Sequence, residues 1–205
     1  MKALFKGISF VFHPLFMPVY LLLILFQFPL LMIQGLNPAM RVLIIGLVLA
    51  NNVLVPALAF KLMKGQGIIK SLQMHTARER RIPYLLLFVL YSVTLWMFSR
   101  TGFVPRIIVF VPLSAAVGSL MLYLVNLKFK VSAHTAAFGS AFAFLLLCNF
   151  YFAFSTLPLL SLVLLSGGFT ATARLYLNAH DEKEIYTGFS IGLFSTLLPG
   201  IYYLF

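Results

Sequence analysis

The chain has 205 residues, 62% of them hydrophobic and 9% charged, with a mean hydropathy of +1.04. A soluble domain carries about 25% charged residues, so a soluble globular domain and a disordered chain are both excluded, and the single cysteine, Cys148, excludes a disulfide scaffold. Fifteen Lys and Arg stand against four Asp and Glu, a net charge of +11. With no soluble domain to hold a groove, this excess reads as basic loops facing anionic lipid headgroups, not as nucleic-acid binding.

A membrane-spanning helix needs about 20 mostly apolar residues. The apolar runs here are continuous and do not alternate, which points to helices and not to a barrel. The expected fold is an all-α polytopic membrane protein, a bundle of about seven (six to seven) transmembrane helices forming one domain over 1–205.

From the start, Met1-Lys2 to Phe12 opens like a signal peptide. Its apolar run continues past the length of such a segment without a small-x-small cleavage site, so it reads as an uncleaved first span. The expected spans are 15–34, 40–62, 82–99, 104–126, 133–153, 157–178 and 185–204, and the longest loop is 63–81. Loop parity then defines two faces. Face A carries the N-terminus and the loops 63–81, 127–132 and 179–184. Face B carries the turns near 35–39, 100–105 and 151–157, and the C-terminus. All four carboxylates (Glu79, Asp181, Glu182, Glu184) and all four histidines (His13, His75, His134, His180) fall on or beside face A. Ionisable groups at membrane depth are functional candidates by default, so face A is the expected working face.

Three segments on face A carry chemistry. Around 78–84, Arg78, Glu79, Arg80 and Arg81 stand at the mouth of a span with Pro83 in its first turn; the segment reads either as a helix anchor or as a phosphate clamp. At 128–135, Ser132 is placed to cap the helix that begins there, and a helix N-terminus with free N–H groups favours anions; His134 sits beside it, with Lys130 just before. At 174–184, His180 and Glu184 are four apart and share a helical face. A carboxylate on one ring nitrogen fixes the tautomer and leaves the other nitrogen free to attack or to move a proton. Arg174 adds a planar fork matched to phosphate oxygens. The same acidic residues also suit a first helical turn.

These three segments, in this order, resemble the motifs of the type 2 phosphatidic acid phosphatase (PAP2) superfamily. Arg174-x5-His180-x3-Glu184-x3-Gly188 follows the third motif in spacing, with Glu184 where the family has Asp. Ser132-Ala133-His134 is similar to the family's Pro-Ser-Gly-His, with Val131 for Pro and Ala133 for Gly. The first motif is the most divergent: Arg81 is one residue short of Pro83, and no Lys stands seven residues before Arg80 or Arg81. Lys128 or Lys130 could replace that missing lysine.

The resemblance implies a PAP2-like core and a lipid-phosphate phosphatase. It would hydrolyse a phosphomonoester or diphosphate through a phosphohistidine, with no cofactor and no metal. His180 is then the nucleophile, Glu184 its orienting carboxylate and His134 the acid that protonates the leaving group. Arg174, Arg80, Arg81, Ser132 and Lys130 are the expected phosphate ligands. The expected partners are a lipid-phosphate substrate and membrane lipids, in a multi-pass protein of a bacterial-type inner or plasma membrane; oligomeric state is open. The alternatives are a non-enzymatic transporter with a basic vestibule on face A, for which polar residues inside the spans are sparse (Asn51, Asn52, Asn149 and Gln27 are the main ones), or an inactive PAP2-like lipid-binding protein.

Two rules conflict over the side of the membrane, and the expectation leans to the cytoplasmic one, because face A without its six motif-region charges (78, 80, 81, 128, 130, 174) still holds six basic residues against three. Face A holds 12 of the 15 Lys and Arg, and basic loops face the cytoplasm. The family resemblance implies the outer or lumenal side instead.

Overall fold

A computed structural model describes residues 1–28, 31–151 and 155–204. Every regular element among them is helical. Seven helical stretches are long and apolar enough to cross a membrane: Lys2–Leu25, Pro38–Gly65, Ala77–Arg100, Arg106–Asn126, Ala133–Tyr151, Leu157–Tyr176 and Glu182–Leu204. The expected polytopic all-α bundle is therefore the observed one.

The first stretch departs from the expected 15–34. Helix α1 (Lys2–Val11) ends before a 3-10 turn at Pro14–Phe16, and α2 (Met17–Leu25) follows. His13 is forced into extended backbone by Pro14, with φ −66° and ψ 135°, and its Nδ1 accepts from Leu15 N–H at 3.4 Å. The Phe5 ring lies 4.5 Å from Tyr176 at the end of the Leu157–Tyr176 helix, and the Ser9 carbonyl meets His134 at the start of the Ala133–Tyr151 helix. Helix α1 therefore sits at the face A end of the bundle, with Lys2 and Lys6 exposed. A short α3 (Leu31–Gln34) leads into the next span. Residues 29–30 of the expected first span, and 152–154 of the expected fifth span and of the turn at 151–157, lie outside the described residues.

The second span joins α4 (Pro38–Leu49), a π-helical turn at Ala50–Leu54 and α5 (Val55–Gly65). Pro56 offers no N–H to the carbonyl four residues earlier, and the Val55 N–H reaches back to Ala50 O, one residue further than in an α-helix. The widened turn presents Asn51 and Asn52 to the next helix. Asn51 Nδ2 donates to Leu90 O at 2.8 Å and to Thr94 Oγ1 at 2.7 Å, and Thr94 donates to Asn52 Oδ1 at 2.8 Å. Such interhelical bonds contribute about 0.6 kcal/mol each in a membrane. Asn51 and Asn52 thus tie the second span to the next helix, although Asn52 Nδ2 itself is buried without a partner.

Helix α6 (Ala77–Arg100) begins five residues before the expected 82. Thr76 Oγ1 accepts from Glu79 N–H at 3.4 Å, and Glu79 Oε2 accepts from Thr76 N–H at 3.2 Å. This reciprocal cap was visible as Thr-x-x-Glu. It turns the expected loop arginines into residues of a first helical turn. The remaining spans, α7 (Arg106–Asn126), α8 (Ala133–Tyr151), α9 (Leu157–Tyr176) and α10 (Glu182–Leu204), begin and end within three residues of the expected bounds.

Helices α8 and α10 make the closest pairing. No hydrophobic force drives helices together in lipid, so close packing of small residues does this work. A Cβ at Gly192 would run into the Ala136 carbonyl, one at Gly139 into the Phe189 carbonyl, and one at Gly188 into Ser132 O and Thr135 Oγ1. The glycine seam lets Ser132 N–H bond Glu184 O at 3.1 Å and Thr135 Oγ1 bond Ile185 O at 2.9 Å. Two of the three motif segments are thereby clamped together.

Candidate active site

The third segment is shaped by two helix ends. Asn178 takes a left-handed φ of 51° after α9, a conformation that Asn tolerates at a helix C-terminus. The chain turns, and Ala179 N–H returns to Arg174 O at 3.0 Å. Asp181 then caps α10, its Oδ1 accepting Glu184 N–H at 2.7 Å. His180 is held between these two turns and is 6% exposed.

The ring of His180 has partners on both nitrogens. Nδ1 lies 2.6 Å from Glu184 Oε2. A carboxylate only accepts, so Nδ1 carries the hydrogen. Nε2 faces both terminal nitrogens of Arg80 at 3.4 Å. A guanidinium only donates, so Nε2 keeps its lone pair. Burial first, and then the charges of Arg80, Arg174 and Lys130, push the His180 pKa well below its ordinary 6.5. The imidazole is neutral, with its lone-pair nitrogen turned toward the cationic side of the site.

Arg80 is clamped. Its Nε donates to Met74 O at 2.8 Å, and one terminal nitrogen donates to Val131 O at 2.7 Å. Met74 holds a left-handed φ of 49°, unusual away from glycine, and presents that carbonyl. Arg174 is buried to 9% exposure, and its Nε has no hydrogen-bond partner. Its charge lies within electrostatic reach of His13, His134 and His180.

His134 is also 9% exposed, and its Nε2 lies 3.1 Å from the Ser9 carbonyl. A carbonyl only accepts, so this nitrogen carries hydrogen. The Ser9 carbonyl is free for the bond because the helix ends there, with His13 N–H bonding Phe10 O instead. The His13 ring stands edge-on to His134, with centroids 5.5 Å apart. Ser9 is the residue that reading the sequence missed, and His13 was placed on face A without a role. The His13-Pro14 break was visible, but nothing local links it to a helix 125 residues away.

Of the expected residues, His180, Glu184, Arg80, Arg174 and His134 gather at one end of the bundle. Three of the expected phosphate ligands have other partners in this structure. Arg81 points away, exposed, with its guanidinium 3.5 Å from Leu127 O, because one helical step from Arg80 turns a side chain by about 100°. Lys130 turns to Glu184 Oε2 at 3.3 Å and Ala179 O at 3.0 Å. Ser132 is fully buried, and its Oγ accepts Thr135 N–H at 3.4 Å as the cap of α8. His75 is exposed and apart.

Comparison of the chain with protein-family models, with curated proteins and with solved structures finds no match. The site therefore has to be read from its own geometry. Arg80, Arg174 and Lys130 face one carboxylate, Glu184, in a largely buried setting. Unpaired buried charge costs several kcal/mol per ion, and an anion binding between the arginines offsets that cost. Among the described residues no group of three or more His, Cys, Asp or Glu could hold a metal ion.

Proposed function

We propose that the protein is a membrane lipid-phosphate phosphatase that works through a phosphohistidine at His180. The observation that carries this reading is the pairing of a neutral His180, Nε2 lone pair exposed to Arg80, with a buried Arg174 that lacks a partner for Nε. Phosphoryl transfer needs a positioned nucleophile and fixed cations around the equatorial oxygens. This arrangement supplies both.

His180 Nε2 attacks phosphorus, and the bond from phosphorus to the lipid oxygen breaks. The ring becomes a phosphorylated imidazolium, which Glu184 stabilises at Nδ1. Arg80 and Arg174 hold the phosphoryl oxygens. His134, whose Nε2 hydrogen is engaged by Ser9, takes up a proton at Nδ1 as the anionic substrate binds and delivers that proton to the departing oxygen. Water then attacks phosphorus and returns a proton to His134, the nitrogen–phosphorus bond breaks, and inorganic phosphate leaves. Lys130 orients Glu184 and does not touch the phosphate. The surplus of buried cations favours an anion over a divalent metal, which supports a metal-independent reaction.

A slender apolar cavity of about 80 Å³ adjoins the site. Tyr84 and Ala133 line its upper end, where Tyr84 OH meets Val131 O at 3.3 Å. It descends past Leu87, Gly118 and Ala136 to Tyr91. Seven residues of α6, from Tyr84 to Tyr91, correspond to about 10 Å of depth. A hydrocarbon chain placed there puts its phosphate at the arginines, which supports a lipid over a soluble phosphate ester.

The test is phosphate release from a panel of lipid phosphates by the purified protein in detergent. Release is expected to continue in excess EDTA and to be inhibited by vanadate, which mimics the five-coordinate phosphoryl group. Loss of activity on chelation, restored by Mg²⁺ or Zn²⁺, would falsify the phosphohistidine reading.

A further inference from the structure

The cations of face A separate into two populations. Three belong to the site: Arg80 and Arg174 are buried, and Lys130 is bound to Glu184. The other nine on that face are exposed, and none touches His180, His134 or Glu184. They come from every element that reaches this end. Lys2 and Lys6 lie on α1, Lys61 and Lys64 on the last turns of α5, and Lys70 in the loop after it. Arg78 and Arg81 stand at the start of α6, Lys128 before α8 and Lys183 at the start of α10. Face B has Arg41, Arg100 and Arg106 only. Arg41 is consumed by carbonyls, Nε donating to Leu36 O at 3.1 Å and the terminal nitrogens to Phe26 O and Ile33 O at 3.2 Å.

The site uses the three inner cations, Arg80 and Arg174 for the phosphate and Lys130 for Glu184, and leaves the nine outer ones unexplained. Short loops rich in Lys and Arg stay on the cytoplasmic side during insertion. Once there, each exposed cation near an anionic leaflet gains about 1 kcal/mol from its surface potential. The amphipathic α1, at the same end of the bundle with two exposed lysines, is suited to such an interface.

We propose that face A is cytoplasmic, and that its collar of exposed lysines and arginines seats against anionic headgroups of the cytoplasmic leaflet. The mouth of the site then opens among those headgroups, so its phosphorylated lipid is drawn from that leaflet. The last clause rests on the phosphatase reading; the orientation and the collar do not.

The test uses the full chain in a bacterial host, with Cys148→Ala as background. Single cysteines at Gln66 and Glu182 on face A, and at Gly102 on face B, are treated with a membrane-impermeant maleimide. Gly102→Cys should label in intact cells, and Gln66→Cys and Glu182→Cys only after lysis. Labelling of positions 66 and 182 in intact cells, with 102 protected, would overturn the orientation. In a second arm, Lys61, Lys64, Lys70, Lys128 and Lys183 are all changed to Gln. Positions 66 and 102 should then both label partially in intact cells, as inverted molecules accumulate. A single, unchanged orientation would overturn the role given to the exposed cations. Neither arm depends on turnover, so failure here is distinct from failure of the phosphatase reading.

Discussion

Arg41 on face B and Arg174 on face A are both arginines at a membrane boundary, and they differ in what they leave undone. Arg41 spends Nε and both terminal nitrogens on three backbone carbonyls and lies 5.7 Å over the Phe26 ring. It ties the chain between Phe26 and Leu36 to the first turns of α4. Arg174 is more deeply buried and has no partner for Nε. A guanidinium that completes its own hydrogen bonds is a staple. One that is desolvated and left open stores a cost that a bound anion relieves. Position at the membrane surface does not separate the two; bond completion does.

The sharpest way to break this comparison is to remove the group that has no structural counterpart on face B. His180→Ala should lower turnover of a lipid phosphate by about 10⁴-fold, in the range seen when an essential acid, base or nucleophile is lost. Near-normal turnover would remove the nucleophile assignment. Next in size, Arg174→Ala should cost about 10²–10³-fold, as for loss of one transition-state charge donor. Arg174→Lys should not restore it, because a point charge replaces a fork. Arg41→Ala sharpens the contrast. It should leave the turnover of the folded protein within about 2-fold while lowering stability by about 1–3 kcal/mol, since three carbonyls lose a donor. Loss of turnover in folded Arg41→Ala would erase the distinction between staple and site.

Smaller effects probe how the histidines are held. His13→Asn keeps an acceptor for Leu15 N–H and removes the ring beside His134. Turnover of an alkyl phosphate should fall about 10-fold, while that of an aryl phosphate with a good leaving group should hardly change, since protonation of the leaving oxygen matters less there. Equal losses on both substrates would make His13 merely structural. Smallest of all is the pH response. His180 is held below its ordinary 6.5, so the folded state stays neutral at pH 5.5 while the unfolded state takes up a proton. Stability should therefore fall as pH drops below 6.5, by up to about 1.4 kcal/mol per pH unit from this group. Nitrogen chemical shifts of histidine-labelled protein should keep His180 in the Nδ1–H neutral form from pH 7.5 to 5.5. Protonation near 6.5 would contradict the electrostatic account.

The seven-span bundle and the His180–Glu184 pair were legible because both depend on local rules: apolar length for the spans, and i to i+4 spacing beside a helix start for the pair. The choice of Arg80 over Arg81 was not read correctly, since it depends on helical phase and hence on where α6 begins. The Thr76–Glu79 capping signal held that information. Lys130 and Ser132 lie in the expected neighbourhood but are engaged by other groups in this structure. Glu184 competes for the lysine, and the α8 backbone competes for the serine, before any phosphate arrives. The hold of Ser9 on His134 is a long-range backbone contact, which no residue type announces.

The central claim is that phosphate passes through His180 Nε2. The most direct measurement is to mix the protein with a lipid carrying radioactive phosphate, quench within one turnover and map the labelled peptide. The account predicts an acid-labile phosphoryl group on the peptide containing His180, absent in His180→Ala and slow to hydrolyse in His134→Ala. Continued phosphate release by His180→Ala, or steady turnover with label found only on another residue, would contradict it.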